Sequence, residues 1–119
     1  MTNNFAWLQL QTSDAKKAES FYGQLFKWTM NTMPVSGGYT YTQIDAGEGS
    51  FAGITQGDTS SPPQWISYIT VDDIKSYTEK AQKLGAQIIV PVTDIGGGQG
   101  YYSVFKDPTG AILGLYGQK

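Results

Sequence analysis

Residues 5–28 read FAWLQLQTSDAKKAESFYGQLFKW. Within this stretch the spacing of the apolar residues changes from every second position to every third or fourth position. Residues 5–12 divide into two alternating sets of side chains, and a period of two predicts a β-strand. The apolar residues that follow recur every three or four positions, which predicts an amphipathic helix that begins after Ser13 or Asp14 and ends near Lys27. The predicted buried face of this helix is formed by Ala15, Ala18, Phe21, Tyr22, Leu25 and Phe26.

The rest of the chain completes this order of elements and then repeats it. Strands predicted at residues 28–35, 39–45 and 50–55 complete the first half, with Ser36-Gly37-Gly38 as a turn. In the second half, strands are predicted at residues 65–71, 87–92, 101–106 and 111–116. Asp72 or Asp73 is the predicted cap of the second helix, and Gly85 ends it. Its predicted buried face is formed by Ile74, Tyr77, Ala81 and Leu84.

The predicted fold class is therefore α+β, with two βαβββ modules forming curved mixed sheets. The modules span about residues 5–56 and 64–117, and a polar linker at 57–63 joins them within a single domain. Individual residues repeat as well as elements. Trp7 stands seven positions before Asp14, as Trp65 does before Asp72, and residues 49–54 resemble residues 110–115. Such a repeat indicates an internal duplication.

The composition excludes much chemistry. The 119 residues include no cysteine, no histidine and no arginine, so a thiolate nucleophile, an imidazole base and a bidentate guanidinium are all missing. The net charge of -2 comes without a basic run, which argues against nucleic acid and membrane as partners. With no secretion signal or long apolar stretch, the chain is predicted to be cytoplasmic.

Several motifs then point to a family. The first half carries W-x-x-L-x-x-x-D at residues 7–14 and then FY-x-x-LF-x-W at residues 21–28. The second half carries LGA at residues 84–86 and FKDPTGA at residues 105–111. In this order and spacing they resemble the vicinal oxygen chelate superfamily of glyoxalases, bleomycin resistance proteins and extradiol dioxygenases. The resemblance covers nearly the whole chain and implies paired βαβββ modules, usually in a homodimer, with Trp28 and Phe5 as candidates for the dimer seam.

Enzymes of that superfamily hold a divalent metal on four strand positions, two in each module. The resemblance places these positions at Trp7, Gly53, Ile66 and Gly114, or at Trp65 in place of Ile66 if the register slips. None of these side chains offers a ligand atom to a hard or borderline cation. We therefore expect no metal site and no cofactor.

The expected ligand site is a cup between the modules, lined by aromatic, glycine and glutamine residues. Trp7 is a candidate stacking platform, the two glycines would leave space for a ligand, and the glutamines would orient it. Each of these residues is also compatible with packing or surface roles alone. The candidate ligand-binding residues are Trp7, Gln9, Gln43, Gly53, Ile66, Tyr68, Tyr102, Gly114 and Tyr116. The glycine-rich residues 94–100 are interpreted as a mobile loop at the mouth of the cup.

Three functions remain open at this point. The first is a metal-free protein that binds a small apolar or aromatic molecule, as the antibiotic-resistance branch does. The second is an enzyme of the same superfamily, a glyoxalase-like lyase or isomerase or a dioxygenase or hydroxylase, although no catalytic residue is identified. The third is a purely structural or regulatory partner. The expected partners are a small-molecule ligand and a second copy of the chain, and the sequence does not identify the ligand.

Overall fold

The computed structural model describes residues 3–34, 40–47, 52–57 and 62–119. Its elements follow the order β1 α1 β2 β3 β4 and then β5 α2 β6 β7 β8, which confirms the predicted α+β class with two βαβββ repeats in mixed sheets. The bounds are β1 Phe5–Thr12, α1 Ala15–Leu25, β2 Thr29–Pro34, β3 Thr40–Asp45, β4 Ala52–Gln56, β5 Gln64–Thr70, α2 Ile74–Lys83, β6 Gln87–Asp94, β7 Tyr101–Lys106 and β8 Ile112–Gly117. The turn predicted at residues 36–38 and residues 58–61 of the predicted linker lie outside the described residues.

The chain divides into two compact units, and the first consists of Trp7–Ile66. Its strands lie in the order β2, β3, β4, β1, with antiparallel pairing except between β4 and β1, which run parallel. Its core consists of Leu10, Ala15, Ile44 and the fully buried Ile54, with the half-buried Tyr22 among the side chains packed around them. Helix α1 therefore covers one face of this sheet, and the opposite face carries the alternate residues of each strand.

The second unit combines Met1–Ala6 with Ser67–Lys119. Its strands lie in the order β5, β8, β7, β6, and β5 pairs with β8 in parallel. Its core joins α2 to the sheet through Val71, Ile74 and Leu115. A buried polar contact crosses this layer, between the hydroxyls of Ser103 and Thr78 at 2.8 Å, and the Thr78 hydroxyl also donates to the Ile74 backbone oxygen at 2.7 Å, so both hydroxyls have partners.

Both helices begin at an aspartate, which resolves the two alternatives left by the sequence. The Asp14 carboxylate accepts a hydrogen bond from the Lys17 amide at 3.1 Å, and the Asp73 carboxylate accepts one from the Ser76 amide at 3.2 Å. Neither amide has a partner within its own helix, so a carboxylate at this position satisfies an otherwise free donor. Ser13 and Asp72 lie outside the helices.

The predicted buried faces of the helices are wrong at four positions. Phe21 and Leu25 are each 58% exposed, Phe26 is 43% exposed, and Leu84 is 71% exposed. In α1 the small residue Ala15 and the larger Tyr22 face the sheet, which turns Phe21 and Leu25 toward the side of the helix. Leu84 follows the last residue of α2 as its C-cap, beyond the turn that packs on the sheet. Helix α1 also ends at Leu25, before the predicted Lys27.

No helix in the described part of the chain is both long enough and apolar enough to cross a membrane.

Candidate functional site

In the first unit, four of the predicted ligand residues lie on the sheet face opposite α1. Gln9, Gly53 and Gln43 form one row across β1, β4 and β3, because Gly53 is paired in register with both glutamines. Trp7 lies two residues before Gln9 on the same side of β1. The two glutamines are half-buried, so they combine partial shelter with amide groups that can both donate and accept hydrogen bonds.

The ring of Tyr41 covers the middle of this row. A Cβ atom built on Gly53 would overlap the Tyr41 hydroxyl, so the missing side chain of Gly53 makes room for that tyrosine. The same ring stacks on Trp7, with ring centroids 6.2 Å apart and planes inclined by 27°. The first unit thus presents a half-buried indole and phenol side by side, next to two amides.

A related arrangement occurs in the second unit, around Gly114. Tyr68 on β5 is paired in register with Gly114 on β8, and a Cβ atom built on this glycine would lie 2.9 Å from Cγ of Tyr68 and closer still to two other ring carbons. Tyr102 on β7 meets Tyr68 edge to face, with centroids 6.3 Å apart. The backbone of Gly114 is therefore covered by the Tyr68 ring.

Gly53 and Gly114 are equivalent in the internal repeat, but the tyrosine rings that cover them come from different neighbouring strands. Tyr41 reaches Gly53 from the antiparallel neighbour β3, whereas Tyr68 reaches Gly114 from the parallel neighbour β5. Tyr102 is the repeat equivalent of Tyr41, and it stands beside Tyr68 instead of covering the glycine. At both positions, the absence of a side chain on the glycine thus leaves space for the ring of a tyrosine from a neighbouring strand.

Tyr116 is engaged within the chain. Its hydroxyl donates to the backbone oxygen of Gln99 at 2.6 Å and accepts from the side-chain amide of Gln118 at 2.5 Å. These bonds hold residues 95–100, which also close on themselves through the Ile95 amide and the Gly100 oxygen at 2.9 Å. The glycine-rich segment is a compact turn, with positive φ at four glycines, and it is anchored by Tyr116.

The last predicted residue, Ile66, is 2% exposed and belongs to the first unit. Its neighbour Trp65 points the other way and is 39% exposed, with its indole nitrogen donating to the Tyr22 hydroxyl at 3.3 Å. Tyr22 also stacks on Trp28, and Phe26 packs against Trp28 with centroids 4.6 Å apart. Sequence analysis missed this aromatic cluster, since nothing local links Trp65 to a helix 43 positions earlier.

The residues at the four metal positions do not fit a metal. Trp7, Gly53, Ile66 and Gly114 carry no oxygen, sulfur or imidazole donor. Within the described ranges, no three of the residue types Asp, Glu, His and Cys come together as a possible metal cluster. No step of any reaction is therefore derived through a metal at these positions.

Burial raises the pKa of the Tyr68 hydroxyl above its ordinary value, and the neighbouring Tyr102 raises it further. The unfolded chain therefore loses this proton near pH 10, while the folded chain keeps it. Folding gains full stability from this group below about pH 10 and loses it as pH rises further. Tyr68 is thus a neutral hydrogen-bond donor throughout the physiological range.

We expect the free energy of unfolding to fall more steeply above pH 10 in the wild type than in Tyr68→Phe. Between pH 8 and pH 11 the free energy of unfolding of the wild type should fall by about 1 kcal/mol more than that of Tyr68→Phe. The reason is that each pH unit above the pKa of the unfolded tyrosine costs the folded state about 1.4 kcal/mol, as long as the folded tyrosine keeps its proton. Urea unfolding at the two pH values measures it. Parallel curves for the two proteins would contradict the assignment.

Comparison with known proteins identifies the class that this fold and site define. The family model described as the glyoxalase/bleomycin resistance protein/dioxygenase superfamily matches residues 4–115. The chain is also 36% identical over 115 residues to "Putative glyoxylase CFP32" of Mycobacterium bovis and of Mycobacterium tuberculosis, a match that covers 92% of this chain. The chain therefore belongs to this superfamily, as its motifs predicted.

Solved structures support the fold independently of sequence. Hypothetical protein BH1468 from Bacillus halodurans superimposes with a TM-score of 0.69 at 16% identity, covering 100% of this chain and 96% of that one. The methylmalonyl-CoA epimerase of Streptomyces coelicolor superimposes with a TM-score of 0.67 at 9% identity, covering 98% of both chains. The chain spans only 44% of the length of the mycobacterial relatives that it matches.

Proposed function

We propose that this protein binds a small apolar or aromatic molecule without the help of a metal. The observation that carries the proposal is the pair of stacked rings, Trp7 and Tyr41, beside the row of Gln9, Gly53 and Gln43. Half-buried aromatic faces next to a few polar groups are typical of sites for small molecules. The rings would supply apolar contact area, and the two amides would orient the ligand.

The distribution of charge supports a neutral ligand. All eight cations are lysines, and all eight side chains are exposed. The candidate residues carry no charge at neutral pH, so nothing among them compensates the loss of hydration that an anion or cation suffers on binding. Stacking and burial of apolar area would therefore provide most of the affinity.

Titration calorimetry with two neutral bicyclic probes, 2-acetylnaphthalene and 2-ethylnaphthalene, tests the proposal. We expect saturable binding of at least one of them, together with quenching of tryptophan fluorescence, because an aromatic ligand would stack near Trp7. The matched anion, 2-naphthoate, should bind more weakly. Absence of heat and of quenching with both neutral probes at their solubility limits would contradict the proposal.

An enzyme of the same superfamily is the second candidate, and the comparisons favour it. One relative carries the name of a glyoxylase, and several structural neighbours are methylmalonyl-CoA epimerases. Any acid or base would have to be a tyrosine or a carboxylate, since the chain has no histidine or cysteine. Exchange of the α-proton of methylmalonyl-CoA in deuterated water, followed by mass spectrometry, tests the epimerase variant of this candidate.

The metal-free state is a separate part of the proposal. We expect purified protein to contain no stoichiometric Ni, Zn, Fe or Mn, because the residues at the four superfamily positions provide no ligand atoms. Treatment with EDTA should leave the melting temperature unchanged, since a bound ion would stabilise the folded state by mass action. Elemental analysis that finds about one tightly held divalent ion per chain would contradict this expectation.

We further propose a cytoplasmic homodimer. Phe5 is 78% exposed, and Phe21 and Leu25 on α1 and its C-cap residue Phe26 are all more than 40% exposed, so a second copy of the chain would find apolar side chains to cover. Two-fold dimers are the commonest closed assembly. Sedimentation equilibrium at micromolar concentration should give twice the chain mass, and a single-chain mass would contradict the dimer.

A further inference from the structure

Carboxamide side chains occupy three of the four strands along one row of the first unit. Asn31 on β2 is paired in register with Gln43 on β3. Gly53 on β4 is in turn paired with Gln43 on one side and with Gln9 on β1 on the other. Residues in register share a face of the sheet, so all three amides lie on the face opposite α1, within the compact unit Trp7–Ile66.

The internal repeat shows that the fold does not require amides in this row. In the second unit the equivalent glycine is Gly114, and its partners in register are Val104 on β7 and Tyr68 on β5. Val104 is itself paired with Val90 on β6. The three amides thus correspond to two valines and a tyrosine. A half-buried amide gives up part of its hydration, which costs free energy unless a hydrogen bond replaces it, so stability alone does not account for the two glutamines.

The two glutamines flank an aromatic surface. The hydroxyl end of the Tyr41 ring lies over the row's glycine, between the two amide-bearing strands, and the same ring stacks on Trp7. Neighbouring strands are about 4.8 Å apart, so the backbones of Gln9 and Gln43, one on each side of β4, are separated by about 10 Å. Side chains stand roughly perpendicular to a sheet, and this spacing accommodates a flat ring on the aromatic surface with an amide at its edge.

A carboxamide limits the chemistry of the edge that it binds. Its carbonyl oxygen accepts and its amino group donates, side by side in one plane, so it pairs at two points with a lactam, whose N–H and C=O also stand side by side. The amides carry no charge. The next residue on this face of β3 is Asp45, whose carboxylate accepts from the Gly47 amide at 2.8 Å and disfavours an anionic ligand. A neutral ring therefore fits the row better than an anion.

We propose that Gln9 and Gln43 recognise a planar neutral heterocycle through a lactam edge, while Trp7 and Tyr41 contact its face. This inference rests on the proposed function and goes further, because it names the polar edge of the ligand and the residues that distinguish it from other flat molecules of the same shape.

The test compares the lactam 2-quinolinone with the lactone coumarin, which keeps the shape and the carbonyl group and replaces the N–H by an oxygen. In the double variant Gln9→Met/Gln43→Met we expect the ratio of lactam to lactone affinity, measured by titration calorimetry, to fall by about 3- to 10-fold, the value of one net hydrogen bond. Gln24→Met makes the same change on α1, where the amide donates to the Ser20 hydroxyl at 2.9 Å, and should keep the wild-type ratio.

Urea unfolding distinguishes ligand recognition from a structural role. The double variant should be at least as stable as the wild type, since the repeat has no amides at the equivalent positions. A marked loss of stability would mean that the amides hold the fold together, which would overturn the inference. An unchanged affinity ratio, or failure of the lactam to bind while 2-acetylnaphthalene binds, would overturn it too and leave the proposed function intact. Failure of both naphthalene probes to bind the wild type would overturn the proposed function itself.

Discussion

Gly114→Ala is expected to lower the free energy of unfolding by about 2 kcal/mol. The added methyl group would overlap the ring of Tyr68, which is buried and held between Gly114 and Tyr102. Overpacking of a buried site costs about 1–3 kcal/mol, whereas the entropy that an alanine removes from the unfolded chain returns less than about 1 kcal/mol. Urea unfolding of the variant and the wild type, under identical conditions, measures the difference.

Gly53→Ala is the matched control, because the two glycines are equivalent in the internal repeat. The methyl group at this position would meet mainly the hydroxyl end of the Tyr41 ring. Tyr41 is only half-buried, so its ring can move aside at a smaller cost than that of Tyr68. We expect Gly53→Ala to lose less than half of the stability lost by Gly114→Ala. Equal losses in the two variants would show that the covering rings do not determine the cost.

Trp7→Ala is expected to weaken the binding of 2-acetylnaphthalene by more than tenfold. The indole would supply apolar contact area and stacking, and stacking alone adds about 0.5–1.5 kcal/mol beyond burial. Because Trp7 is half-buried and lies outside the buried core of the first unit, its removal should cost only about 1–2 kcal/mol of stability. Calorimetric titration combined with urea unfolding measures both quantities.

Trp65→Ala provides the control for Trp7→Ala, since it also removes one indole. Trp65 lies against Tyr22 on the helix side of its strand, so its loss should leave the affinity for the probe unchanged. The competing interpretation of Trp7 is a core residue. In that case Trp7→Ala would lose about 3–5 kcal/mol of stability, and the search for the ligand site would move elsewhere.

The elements of this fold follow from local patterns that the sequence displays. An aspartate before an apolar period marks the start of each helix, and alternation marks strands such as Phe5–Thr12. Strand ends were less predictable: β6 continues to Asp94, beyond the predicted residue 92, and β8 continues to Gly117, beyond the predicted residue 116. Strand ends depend on the length of the neighbouring strand, which a local pattern does not contain.

The sequence was sufficient to predict which residues belong to the candidate site, but it did not predict which of their side chains are in contact. Alternation alone places Trp7 and Gln9 on one side of β1, and the internal repeat relates Gly53 to Gly114. Which tyrosine covers which glycine depends on the register between strands far apart in sequence and on the rotamer of each ring. The exposure of Phe21 has a similar cause, since it depends on how the smaller Ala15 and Ala18 seat the helix on its sheet.

The make-up of the second compact unit has a consequence for the order of folding. The Asn4 oxygen accepts from the Thr70 amide at 2.9 Å, and the Lys119 oxygen accepts from the Ile74 amide at 2.9 Å. Contacts between distant residues form slowly, because a long loop must close first. During synthesis, Trp7–Ile66 can collapse early, whereas residues 3–6 must wait for Thr70 and the Ile74 amide must wait for Lys119. Pulse-labelling hydrogen exchange should therefore detect late protection at Thr70 and Ile74 and earlier protection at Ile54.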